Sequence, residues 1–287
     1  MNTELYLFER HQIDDLLWNK TVDQSTYGYP YAYTWYLDSV CDQWIALAND
    51  DFSLIFPIPI KQKLGIKYAY TPWWTQQLGL ITSNPEYENI LPTIVKALMK
   101  RVRHINLMVH YGTNVELLKS IDRLKIFEHK TYQLNLIHEY SHIWDNYTDK
   151  RRNNIRRALM EGLITKQHIH FEEFMTFFHV RAFRNSEYLT SAQIQVLGRL
   201  LIEALERNHC ELWGVYKSKA LIATAVFIRS EHYWTYVASA TSLTGRKTHA
   251  MSLLLDRFFY EHAQENMIFD FEGSDIPSIA KFFKGFG

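Results

Sequence analysis

Only two cysteines, Cys41 and Cys210, occur in the 287 residues, far apart and outside any CxxC or Cys/His spacing. Neither a disulfide framework nor a structural zinc site is written in such a chain, and a reducing compartment suits it. Thirteen histidines are present, yet none falls into HExxH or another metal spacing, so no metal is expected. His168 and His170 alternate along a strand-like segment and read as ordinary surface or half-buried side chains. An excess of charge is missing too. The 31 Lys and Arg balance the 31 Asp and Glu, which argues against a partner gripped by the whole surface, such as bulk duplex DNA. The longest apolar run, residues 220–228, is too short to span a bilayer, and the opening MNTELYLFERHQIDD places charges where a signal peptide needs an apolar core. A soluble, cytoplasmic chain without membrane insertion is expected. With 11 Gly, 7 Pro and no Gly/Ser-rich or Pro-rich tract, any domain boundary must lie in a short polar connection or inside a helix.

What is present is aromatic. Trp 8, Tyr 18 and Phe 17 make up 15% of the chain, enough large rings to fill cores and to line a groove. Hydrophobic residues at 47% and charged residues at 22% are ordinary globular usage, and the length suits two domains of roughly 140 residues each. The charge balance conceals an asymmetry: residues 1–149 hold 13 basic and 17 acidic side chains, residues 150–287 hold 18 and 14. The second half is the expected anion binder.

Hydrophobic periodicity divides the chain near Tyr147. The polar stretch DNYTDKRRNN separates a strand pattern at 132–137 from a helical pattern through Ile155 and Leu159, with Thr148 as its N-cap. Beyond it the order is β-α-α-β-β-β-α-β-α: strand 164–171, helix 171–184, and helix 190–207 opened by the capping box Thr190-x-x-Gln193. Strands at 211–216, 221–228 and 232–238 follow, then a long helix at 248–264, a short strand at 268–271 and a helix at 276–283. The first half blurs the same order, with strands at 5–8, 44–48 and 52–60, a helix at 89–103, a strand at 105–109, a helix at 115–121 and two closing strands within 126–137. Two copies of one mixed α/β unit, at 1–147 and 148–287, is the economical reading.

Two segments carry a resemblance that goes further. Lys150-Arg151-Arg152-Asn153-Asn154-Ile155-Arg156-Arg157-Ala158 resembles the basic linker helix of Fem-type proteins. The C-terminal Phe269-Asp270-Phe271-Glu272-Gly273-Ser274 and Phe282-Phe283-Lys284-Gly285-Phe286-Gly287 are similar to the ending of the same group. That resemblance implies an α/β fold of two tandem GNAT-like domains, the second with the more complete site. It further implies acyltransfer to an amine, such as a peptidoglycan precursor, from aminoacyl-tRNA or from coenzyme A as acyl-CoA. Two departures are visible. Ser242 to Ala250 stands where a glycine-rich pyrophosphate loop would be and has one glycine, and Phe283 stands where the pattern often has Lys.

The residue chemistry suggests roles and, for each, a plainer use. Arg152 and Arg156, spaced i and i+4, could clamp phosphates with their planar forks or form a solvated face. Gly245, Arg246, Lys247 and Thr248 precede a long helix and could converge on one anion, or could form a polar turn capped by Thr248. Glu272 is the preferred base for an attacking amine, Asp270 the second carboxylate or a structural partner. Tyr236 could protonate a leaving group or belong to the core. Lys284 could hold an oxyanion or simply favour a helix C-terminus. Trp73 and Trp74 could stack on a sugar or base, or pack inside. A non-catalytic pair of such domains that binds a ligand or a protein is the alternative reading.

Overall fold

The computed structural model describes residues 4–185, 189–273 and 275–287. The chain forms two compact units. The first comprises Met1–Glu128 with Ser230–His232, the second His129–Arg229 with Tyr233–Gly287.

In the first unit, β1 (Tyr6–Glu9), α1 (Asp15–Gln24) and α2 (Thr34–Val40) precede β2 (Trp44–Ala48), β3 (Leu54–Lys63), β4 (Ile66–Tyr70) and β5 (Ile81–Thr82); α3 (Leu91–Met99) and β6 (His104–Asn106) follow. The sheet order is β1-β2-β3-β4-β6, with β5 also on β3. β3 carries two prolines in a buried strand, which a ladder tolerates only where no N–H is needed. Ile60 donates its N–H to the Gln43 carbonyl on the β2 side, so Pro57 and Pro59 turn their nitrogens to the other edge. On that edge β5 pairs with Leu54 and Ile55, and β4 with Ile60 to Lys63, leaving the stretch between them without a partner strand. The core joins Leu54, Phe56, Ile58 and Ile60 of β3 to Leu91, Ile94 and Leu98 of α3. The expected helix at 115–121 is a 3-10 turn, Val115–Leu118.

The second unit runs β7 (Gln133–Asn135), α4 (Tyr140–Asn146), α5 (Asp149–Met160), β8 (Ile164–Lys166), α6 (Phe171–Asn185), α7 (Ser191–Glu206), β9 (Cys210–Lys217), β10 (Ala220–Arg229), β11 (Tyr233–Thr241), α8 (Leu243–Lys247), α9 (Ala250–Glu261), β12 (Ile268–Asp270) and α10 (Pro277–Phe283). Its strand order is β7-β12-β11-β10-β9-β8. The Thr190/Gln193 capping box opens α7 as expected, with Gln193 N–H 3.3 Å from Thr190 Oγ1. Central β10 is buried on both faces. Ala223, Ala225 and Phe227 pack with Leu253, Leu254 and Phe258 of α9, while Thr224, Val226 and Ile228 on the opposite face are equally buried.

The units part at Glu128, ahead of the division at Tyr147 expected from the pattern. β7 lies before Tyr147 yet pairs with β12 (Phe269 opposite Leu134), so long-range pairing draws 129–147 into the second unit. Each unit contains one parallel strand pair bridged by a helix: β4 and β6 through α3, β11 and β12 through α9. This repeated βαβ element is the shared order that the sequence showed as a blur. No helix among the described residues is long and apolar enough to cross a membrane.

Candidate functional site

A cavity of about 760 Å³ opens in the second unit at the start of α9. Six cations line it: Lys150, Arg151, Arg181, Arg246, Lys281 and Lys284. No carboxylate lines it among the described residues. Such a one-sign concavity with apolar walls focuses positive potential on whatever anion enters.

Arg151 is the centre of the arrangement. Thr148 caps α5 by accepting the Arg151 backbone N–H, and the Thr148 N–H donates to the Gly285 carbonyl at 3.1 Å, tying the helix to the C-terminal turn. Arg151 is 5% exposed. Its Nη1 donates to Ser252 Oγ and its Nη2 to the Phe282 carbonyl, and it lies 4.0 Å and 4.2 Å from the ring centroids of Phe282 and Phe286. Its Nε is buried without a partner, and no carboxylate among the described residues forms an ion pair with it. Burial lowers its pKa to about 10, so it remains charged at neutral pH. A buried cation without a counter-ion costs stability unless an anion completes it. The two segments that carried the resemblance, 130 residues apart, meet at this one side chain.

A neutral imidazole beside such cations would be a proton acceptor. His249 lines the cavity in a left-handed backbone conformation (φ 58°) between α8 and α9. Burial lowers its pKa, and Arg157, Arg151 and Lys150 lower it further. The imidazole is therefore held neutral at pH 7, the form that can take a proton. Sequence reading passed over it because a lone His before a helix carries no distinctive spacing.

Of the expected site residues, Lys284, Gly245 and Arg246 line this cavity. Lys284 Nζ stands 5.8 Å from the Tyr132 ring centroid. The stretch expected as a phosphate loop is instead helical. Gly245 N–H donates to Ser242 Oγ and Arg246 N–H to the Ser242 carbonyl, so these amides are spent on α8 itself. Gly245 serves close packing, since a Cβ there would lie 2.4 Å from the Ile222 carbonyl oxygen. Lys247 and Thr248 lie outside the lining, and Thr248 Oγ1 donates to the Thr244 carbonyl at 2.9 Å.

The remaining residues are placed elsewhere. Arg152 donates to Asp149 (2.7 Å) and to the Asp145 carbonyl (3.0 Å), closing the end of α4, and Arg156 donates to Asn153 Oδ1 and stands over Trp144. Glu272 is buried at a left-handed position (φ 52°), its N–H donating to Asp270 Oδ1 at 2.7 Å; Asp270 also accepts from Thr131 Oγ1 and Gln133 Nε2. The two carboxylates thus belong to a turn that seats β12 against β7. Tyr236 is in the core, stacked with Phe227, its Oη 3.3 Å from Met251 Sδ, and burial pushes its pKa up. Trp74 belongs to the first unit, where its carbonyl accepts from Tyr36 Oη. Both cysteines are buried, which pushes their thiols up and removes them as nucleophiles.

No protein-family model and no curated protein matches the chain. Solved structures do. FemX is 15% identical with a TM-score of 0.70, covering 99% of this chain and 94% of its own. A tandem GNAT protein from the clavulanic acid biosynthesis pathway is 10% identical with a TM-score of 0.55, covering 98% and 94%. L-PGS from Bacillus licheniformis is 13% identical with a TM-score of 0.51, covering 92% and 78%. The likeness shows that the chain has the tandem GNAT fold.

Proposed function

Taking the tandem GNAT fold as premise, we propose that this chain transfers an acyl or aminoacyl group from a phosphate-bearing carrier to an amine, with the carrier held in the cationic cavity of the second unit. The observation that carries the reading is the set of six cations, the buried Arg151 among them, with no carboxylate among the described lining residues. Arg forks and Lys ammoniums suit phosphate oxygens. The side chains fit a pyrophosphate or a nucleic-acid phosphate, whereas the α8 amides do not supply a backbone cradle.

In the transfer, the amine nitrogen attacks the carrier's carbonyl carbon. The C–N bond forms as the ester C–O bond of an aminoacyl-tRNA, or the C–S bond of an acyl-CoA, breaks. His249 accepts the proton released by nitrogen and returns it to the leaving oxygen or sulfur. Lys284 and Arg246 stabilise the negative charge that develops. No covalent enzyme intermediate is needed, in keeping with two buried thiols. The acceptor proposed from the resemblance is an amine of a peptidoglycan precursor.

The test offers the chain acetyl-CoA and aminoacyl-tRNA separately with an amine acceptor, reading free CoA or deacylated tRNA. Turnover is expected with one of them, falling about 10- to 100-fold in Arg246→Ala through loss of one charge-assisted contact. A tRNA carrier would bind with a steep salt dependence. A ligand at 100 times its Kd would raise unfolding stability by about 2.7 kcal/mol. Neither binding nor turnover with either carrier would overturn the reading and leave a non-catalytic binding pair.

A further inference from the structure

The hairpin of β3 and β4 runs out beyond the core of the first unit. Residues Leu54 to Ile60 are all buried, whereas every residue from Lys61 to Lys67 is exposed. Lys61 pairs with Tyr68, Gln62 with Lys67 and Lys63 with Ile66, so the two residues Leu64 and Gly65 close the arm. Opposed residues share a face, which puts Lys61 and Lys63 on one side of the arm and Lys67 on the other. Arg103 stands beside Lys67, to whose carbonyl it donates its N–H at 3.0 Å, in the register that sets His104 against Tyr68. The arm therefore carries cations on both faces.

Its tip is aliphatic. Leu64 is 93% exposed and left-handed (φ 51°), Gly65 follows at φ 77° with open space around it, and Ile66 beside them is 48% exposed. Two positive-φ residues in a two-residue hairpin turn are the geometry that favours Asn-Gly. A bulky leucine at the first position is disfavoured by the backbone and by water alike, so neither folding nor hydration accounts for it. Charge around the tip has one sign. No Asp or Glu occurs from residue 52 to 85 or from 89 to 115, in a half of the chain whose overall balance is acidic. None of Lys61, Lys63, Lys67 and Arg103 enters an ion pair among the described residues.

We propose that this arm is a peripheral contact with an anionic lipid surface: Leu64 and Ile66 enter the headgroup region, and Lys61, Lys63, Lys67 and Arg103 meet lipid phosphates around them. Lys and Arg fit that position because their apolar stems follow the tip while their heads stay at the phosphates. An apolar insertion and a basic cluster are two signals that hold a protein on a membrane together, where either alone is marginal. A nucleic acid would use the same cations, but it holds proteins through phosphates and aromatic stacking and has no use for an aliphatic tip. The contact lies on the surface and needs no spanning segment. The inference stands independently of the acyl-transfer reading.

The experiment is co-sedimentation of the full chain, with no acyl carrier present, on phosphatidylcholine vesicles containing about a third phosphatidylglycerol. Vesicles of phosphatidylcholine alone and a single-stranded RNA oligonucleotide are the comparisons. Binding to the anionic vesicles is expected, at least tenfold stronger than to neutral ones and falling at least tenfold as salt rises from about 0.1 M to about 0.5 M. Leu64→Asn installs the pair that the turn prefers, so Tm should hold or rise while the partition coefficient falls at least fivefold. The double change Lys63→Gln with Lys67→Gln should lower it at least tenfold, since each cation near an anionic surface contributes about fivefold. An unchanged partition coefficient in Leu64→Asn, equal binding to neutral vesicles, or no binding to anionic ones would overturn the proposal. RNA binding as tight as vesicle binding and insensitive to Leu64→Asn would overturn it in favour of a nucleic acid.

Discussion

Gly285→Ala is the substitution by which the Arg151 arrangement can be judged. The backbone at Gly285 is not left-handed, so alanine meets no conformational penalty there, and the cost is steric. A Cβ would lie 2.9 Å from Arg151 Nη2, 3.0 Å from Nε and 3.3 Å from Cζ. A flexible side chain would step aside, but this guanidinium is clasped between the Phe282 and Phe286 rings and hydrogen-bonded to Ser252 and the Phe282 carbonyl. Overpacking of a tight core costs about 1–3 kcal/mol, and losing a hydrogen bond to a charged group about 1.5–3 kcal/mol. A partial share of each gives ~2–4 kcal/mol. At roughly 2–4 °C per kcal/mol for a unit of this size, calorimetry should show the second unit's transition falling by about 5–15 °C. In Arg151→Met the planar fork is gone, so the double variant should be at least ~1 kcal/mol more stable than the sum of the two single changes predicts. A Gly285→Ala loss below about 2 °C, or strict additivity in the double-mutant cycle, would refute the claim that Gly285 exists to admit this side chain.

Asp256 supplies a pH-dependent prediction. Burial raises its pKa from 3.8 to about 6, against the opposing influence of Tyr140, whose Oη donates to Asp256 Oδ1 at 2.7 Å, and of Arg257 and Tyr147. A pKa raised on folding favours the folded state while the group is protonated. The stabilisation is therefore full below about pH 4 and is lost as pH rises through about 6. Asp256→Asn should remove that loss and exceed the native protein by up to about 3 kcal/mol above pH 7, the two converging near pH 4; parallel Tm curves from pH 4 to 8 would contradict this. Tyr236→Phe should leave transfer within twofold and stability within about 1–2 kcal/mol, because its hydroxyl meets only the Met251 thioether and Ser239, both uncharged. A tenfold fall in rate would restore Tyr236 to the chemistry.

Much of the fold was legible from the residues because it rests on local rules. The period-2 and period-3.6 patterns placed β9, β10, β11, α6 and α7 within a few residues. The Thr190/Gln193 box and the Thr148 cap are both made as written, since capping depends on neighbours three positions away. The basic excess of the second half corresponds to the six cations that line its cavity. Lys284, Gly245 and Arg246 are among the residues lining that cavity.

Tertiary structure decided the rest. β7 belongs to the second sheet because its partner is β12, more than 130 residues away in the chain, and pairing at such separation leaves no local trace. Short α8 replaced the expected loop because Ser242 caps it and Gly245 lets it sit against β10. Arg152 and Arg151 are neighbours in a run of like charges, yet one closes the end of α4 and the other is buried behind Phe282 and Phe286. Which arginine meets the cavity is set by the helix's rotation against α9 and the C-terminal turn. The same holds for His110 and His249: only packing determines that one imidazole is buried against Tyr27 and the Leu80 carbonyl and the other stands among cations. Composition and spacing fix the available groups and their local frame, while the direction in which a buried polar group faces depends on contacts that the linear order does not contain.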